Sequence, residues 1–168
     1  FLKFLKMLRE EGITTLEGIN ELDAGSRESV KRLPSYHAIM LAQNDVGRVN
    51  LYTMVSESHL TYFYKRPRIP KSFILKHREG ILLGSACEAG ELYRALLDGK
   101  ADTEIARIVN FYDYLEIQPL GNNAFMIDSE KIECIHTMED IMEINREIVR
   151  LGEQFDKPVA ATCDVHFL

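Results

Sequence analysis

A chain of 168 residues, 46% hydrophobic and 27% charged, can bury one core, and that composition excludes a disordered or low-complexity protein. No apolar run approaches the ~20 residues of a membrane helix, and lysines break the apolar opening at helical spacing with no small-residue cleavage site after it, which excludes an ordinary signal peptide. A net charge of −6 argues against a surface whose main task is gripping nucleic-acid phosphates, and three widely spaced cysteines without a C-x-x-C pair fit a reducing cytoplasm rather than a disulfide framework.

In chain order, Phe1, Leu2, Phe4, Leu5 and Leu8 form the stripe of an amphipathic helix over 1–11, closed by Gly12. Residues 23–35 are rich in Asp, Gly, Ser and Arg and end near Pro34, the composition of a linker. The apolar run 36–42 suits a buried strand. Asn44 or Asp45 can then cap a helix whose apolar positions are Val46, Val49, Leu51, Tyr52 and Val55. Aromatic and basic residues with Pro67 and Pro70 make 59–72 a loop; a short helix near 72–77 leads into a strand over 81–86. A helix opening at 87–91 runs through Leu97, and another runs from Thr103 to about Tyr112. Residues 114–118 alternate apolar and polar and stop at Pro119, the pattern of a strand. After a loop around Gly121, Thr137 caps a long helix striped by Met138, Ile141, Met142, Ile144, Ile148, Val149 and Leu151, and 158–162 is the last strand. Strands alternating with helices imply an α/β fold with parallel pairing, as a doubly wound sheet or part of a β/α barrel. The chain opens without Met inside a helix and stops just past a strand, the expectation for a piece of a longer protein.

Chemistry in such folds gathers at the carboxyl ends of strands. Asp164 and His166 follow the last strand; residues two apart on extended backbone point the same way, so both can reach one Zn²⁺ or Mn²⁺ ion. The alternative is a capping Asp beside a surface His. Cys87 follows a strand and precedes a helix, as a thiolate ligand, an activated thiol or a small packing residue. His37 in its apolar strand is a ligand or a hydrogen-bonded core residue; Cys134 and Cys163 read as packing residues, and His59, His77 and His136 as exposed. Tyr62–Lys76 could stack on bases and neutralise phosphates, or be a solvated loop held by its prolines; the acidic whole favours the loop.

Ordered blocks carry more than any one residue. Residues 35–44 (SYHAIMLAQN), 62–70 (YFYKRPRIP), 80–91 (GILLGSACEAGE), 111–119 (FYDYLEIQP) and 158–168 (PVAATCDVHFL) together resemble the PHP domain of bacterial replicative DNA polymerase III alpha subunits of the PolC type, found in low-GC Gram-positive bacteria. The resemblance implies a partial PHP-type distorted β/α (TIM-like) barrel with parallel strands, covering 36–168. It further implies that 1–22 close an inserted 3′–5′ exonuclease domain and that 23–35 return the chain to PHP. It also implies a metal cluster at the barrel mouth with His37, Cys87, Asp164 and His166 among its ligands. Zn or Mn is the expected ion there, with Mg at the polymerase site of the parent. The remaining PHP ligand motifs, the exonuclease site and the polymerase palm are not in this sequence, so weak or no metal binding and no catalysis are expected of the piece by itself. The partners implied are the rest of the polymerase chain, DNA and dNTPs, the sliding clamp and other replisome proteins, with no membrane; strand edges left open could also pair two copies of the chain. The alternatives are a stand-alone PHP phosphoesterase of the histidinol-phosphatase kind and a noncatalytic scaffold.

Overall fold

The computed structural model describes residues 33–130 and 132–163, so the helix expected over 1–11, the exonuclease-like 1–22, most of the linker 23–35, and Asp164 and His166 lie outside the described residues. The elements follow in the expected order: β1 (Ile39–Ala42), α1 (Asp45–Leu60), α2 (Lys71–Lys76), β2 (Ile81–Gly84), α3 (Glu91–Leu97), α4 (Asp102–Phe111), β3 (Leu115–Ile117), a 3₁₀ helix η1 (Leu120–Met126), α5 (Met138–Gln154) and β4 (Val159–Ala161). The chain divides into two compact units, one holding 42–81 and the other 36–41 with 82 onward.

In the first unit, Asn44 starts α1. Its side-chain oxygen accepts the Gly47 N–H at 2.9 Å, satisfying a donor that the first helical turn leaves open. Gly47 lies against the backbone of Gly80, whose φ of +71° is left-handed, so the start of α1 and the approach to β2 touch main chain to main chain. Asn50 Nδ2 donates to the Glu79 carbonyl at 2.9 Å and ties the same two segments. Met54, Ser58, Tyr62 and Ile74 form the buried side of the unit, and Tyr62 meets Phe73 edge to face at 5.7 Å. The apolar row Val46, Val49, Tyr52 and Val55 is exposed; small Gly47 and Ser58 share the buried face with Met54. The basic, aromatic segment after α1 is a loop, as expected, with Lys65 and Arg68 near the Tyr64 ring at 5.6 and 5.9 Å.

The second unit carries the larger core. Leu83, Leu115 and Ile141 are fully buried, and each such side chain contributes about 1.5–3 kcal/mol relative to exposure. Strand β3 pairs parallel with β4 in the register Leu115↔Val159, Glu116↔Ala160, Ile117↔Ala161, and α5 packs on both strands and on η1. A parallel bridge, Gly84↔Tyr114, joins the end of β2 to the entry of β3, and Leu83 N–H donates to the Asp113 carboxylate at 2.7 Å.

Strand β1 departs from the parallel expectation. It pairs with β2, yet Gln43, just past its end, donates to the Gly80 carbonyl, just before β2 begins. Advancing along β1 therefore means retreating along β2, and the two run antiparallel. Its residues are also mostly exposed rather than buried, with Ile39 36% and Leu41 51% accessible. Two further differences are local. The expected loop at Gly121 is wound into η1, and α3 begins at Glu91 rather than at Cys87. There Ala86 at φ 61° turns the chain off β2, and the Gly90 N–H closes a turn on the Cys87 carbonyl at 2.8 Å.

Helix α5 has well-defined ends. Thr137 and Asp140 form a reciprocal capping box at its start. Hydrogen bonds from the His136 and Thr137 N–H groups and the Thr137 hydroxyl hold the Asp140 carboxyl below its ordinary value. A carboxyl whose folded pKa is depressed lends stability above its unfolded pKa and loses it as pH falls through the folded value. Asp140→Ala is therefore expected to lower the melting temperature near neutral pH, with the difference from the parent shrinking below the ordinary carboxylate range in a pH series of thermal melts. At the other end, Lys157 N–H reaches the Gly152 carbonyl at 2.8 Å and Asp156 sits at φ 51°, the left-handed position where helices usually place glycine. Asp156→Gly relieves that strain and removes a negative charge from the helix C-terminus; a gain of about 1 kcal/mol is expected in denaturant unfolding.

Candidate metal centre

Two of the four residues singled out in the sequence fall within the described chain, and they meet. Cys87 Sγ lies 3.4 Å from His37 Nδ1. The antiparallel β1–β2 pair explains the meeting, because His37 precedes β1 while Cys87 follows β2, which puts both at one end of the pair. The segment is fixed on both sides: His37 N–H donates to the Ala89 carbonyl at 3.0 Å, and His37 bridges Gly90 in the parallel sense where the chain has turned back. Gly90 is required at this turn, since a Cβ there would stand 2.1 Å from the Ser85 carbonyl oxygen.

The donor set fits a borderline-soft divalent ion. Zn–S near 2.3 Å and Zn–N near 2.0–2.1 Å in a tetrahedral site put thiolate and imidazole about 3.5 Å apart, close to the spacing between Cys87 and His37. Burial raises the Cys87 thiol above its ordinary value, with neighbouring Glu88 adding to the shift and the Ala89 backbone N–H opposing it. The pair is thus set to bind a cation by releasing the thiol proton. His37 is exposed and Cys87 half-buried, leaving the pair reachable from solvent. Among the described residues no third His, Cys, Asp or Glu joins them in a cluster.

The other residues weighed in the sequence divide differently. Cys134 and Cys163 are exposed rather than packed, with Cys134 Sγ near the Leu97 carbonyl at 3.5 Å. His77 is half-buried, its ring 4.3 Å from that of Phe73 and its Nδ1 3.0 Å from the Phe73 carbonyl oxygen. His59 and His136 are exposed, as expected. One residue escaped the sequence reading. Glu116, in the middle of β3, is only 6% exposed, and its carboxylate accepts the Thr162 hydroxyl at 2.8 Å. Its signal was the alternation of β3, which marks it as facing away from Leu115 and Ile117 but does not tell a solvent face from a covered one.

The family model of the PHP domain matches residues 1–119, and the chain belongs to that family. Along nearly its whole length it is also similar to chains named DNA polymerase III PolC-type. It is 51% identical to the one from Clostridium perfringens over 98% of its residues, 41% to that from Bacillus subtilis over 99%, and 40% to that from Thermotoga maritima over 100%. The sequence resemblance to the PHP segment of PolC-type polymerases is thereby shown. The chain spans 11% of the length of the first two of these relatives and 12% of the third. No helix among the described residues is long and apolar enough to cross a membrane.

Proposed function

We propose that this chain supplies part of a metal-binding PHP centre inside a replicative DNA-directed DNA polymerase of the PolC type, acting in the cytoplasm. The observation that carries the reading is the Cys87–His37 approach at 3.4 Å, a donor spacing suited to shared ligation. Strand β4 ends at Ala161, so Asp164 and His166 follow a strand end on the sheet that also includes the turn after β2. In this reading His37, Cys87, Asp164 and His166 hold Zn or Mn ions at the mouth of a distorted β/α barrel. Bound ions would there polarise a phosphoryl oxygen. The protein's own residues hold the ions, and the backbone hydrogen bonds at His37 and Gly90 fix the ligand angles.

Within the parent, the centre is mainly structural, residues 1–22 end an inserted 3′–5′ exonuclease domain, and 23–35 link it to PHP. DNA, dNTPs, Mg at the polymerase site, the sliding clamp and replisome proteins belong to the parent chain. Relatives named PolC-type, each eight to nine times longer than the matched stretch, support that reading. So does the apolar row of α1, which further chain of the parent would cover; pairing of two copies through open strand edges is the competing occupant. Elemental analysis of the purified full-length parent chain tests the centre. Zinc or manganese retained after dialysis, beyond what the polymerase site accounts for, supports it. A chain without either ion returns the segment to a scaffold.

A further inference from the structure

Three adjacent strand ends of the second unit are joined through one buried carboxylate. Glu116 N–H donates to the Ser85 hydroxyl at 2.9 Å, and the Thr162 hydroxyl donates to Glu116 Oε1 at 2.8 Å. Ser85 is 2% exposed and Glu116 6%. Thr162 N–H also donates to the Ile117 carbonyl at 3.0 Å, extending the β3–β4 ladder beyond its last paired residue. The joined positions frame the candidate centre: Ser85 is two residues before Cys87, and Thr162 two before Asp164.

A carboxylate is a costly way to make this join. Burying a charge costs several kcal/mol unless it is matched, and a neutral hydroxyl matches it only in part. Glutamine has the same shape and could accept the same hydroxyl without that cost. A negative charge at this place gains most when cations sit beyond the strand ends that it ties together.

We infer that Glu116 is a positioning residue for the proposed metal centre, fixing the exits of β2 and β4 through Ser85 and Thr162 and lending its charge to cations held there. The inference rests on the metal-centre reading above. It separates two properties that a merely structural residue would link, since the charge burdens the empty protein and helps only the loaded one.

The test uses the full-length parent chain and its Glu116→Gln, Thr162→Val and Thr162→Ser variants. Each is stripped with chelator, then titrated with Co²⁺ while thiolate-to-metal absorption is followed; thermal melts of the stripped proteins run alongside. Glu116→Gln is expected to melt at or above the unsubstituted protein when stripped, yet to bind Co²⁺ about tenfold more weakly, the usual effect of losing an outer partner of metal ligands. Thr162→Val should weaken binding similarly and Thr162→Ser restore it. Unchanged Co²⁺ affinity in Glu116→Gln overturns the role, as does a loss of stripped-state stability that accounts for the weaker binding. Absence of any thiolate band in the unsubstituted protein overturns the metal-centre reading itself, and the positioning role with it.

Discussion

Gly47→Ala is expected to destabilise the chain by at least about 3 kcal/mol, lowering its melting temperature by roughly 6–12 °C. A Cβ at this position would stand 1.8 Å from the Gly80 carbonyl oxygen and 2.5 Å from the carbonyl carbon, far inside any real contact. The obstacle is backbone, so no rotamer change relieves it. Gly80 cannot easily withdraw, because its carbonyl accepts the Gln43 N–H at 2.8 Å and its left-handed φ of +71° leads directly into β2. The start of α1 would have to lift away, breaking the Asn44 cap and the Asn50 bond to Glu79. Thermal melting of the variant beside Gly121→Ala checks the claim, since a Cβ on Gly121 meets nothing within 4 Å. Equal melting temperatures in the two variants would contradict the close approach.

That contact also marks the limit of what the sequence discloses. Elements held by local rules were legible. Asn44 and Thr137 cap the helices that follow them, and Pro119 and Pro158 bracket β3 and β4 closely enough to place both strands. Features set by distant partners were not. Nothing local distinguishes a strand that runs with its neighbour from one that runs against it, so β1 was expected to be parallel, and its apolar run to be buried. The same limit applies to α1: Val46, Val49, Tyr52 and Val55 have the spacing of a core stripe, but the covered face is built on Gly47, Met54 and Ser58. Glu116 is the converse case, a charged residue on a covered face. For the site, family resemblance named His37 and Cys87, while the antiparallel strand pair accounts physically for how residues fifty positions apart come together.

The pairing yields the second large expected effect. Cys87→Ser in the full-length parent should abolish the thiolate-to-metal absorption of the Co²⁺-substituted protein and weaken binding at this centre by two orders of magnitude or more, because a hydroxyl is a poor, protonated donor where a thiolate was a strong one. The substitution itself is gentle: Cys87 is half-buried, its turn is held by the Gly90 N–H on its carbonyl, and serine alters neither. His37→Ala should remove the partner donor and shift the same absorption without erasing it, since the thiolate stays. A free thiol control is built in at Cys134, exposed and near only the Leu97 carbonyl, whose replacement by serine should leave the Co²⁺ spectrum unchanged. The order of the three variants separates a ligand pair from a fortuitous hydrogen bond. A hydrogen-bonded Cys–His pair without metal loses at most about 1 kcal/mol of stability on either substitution and has no absorption to lose. A spectrum insensitive to Cys87 but altered at Cys134 would place the metal elsewhere in the parent chain.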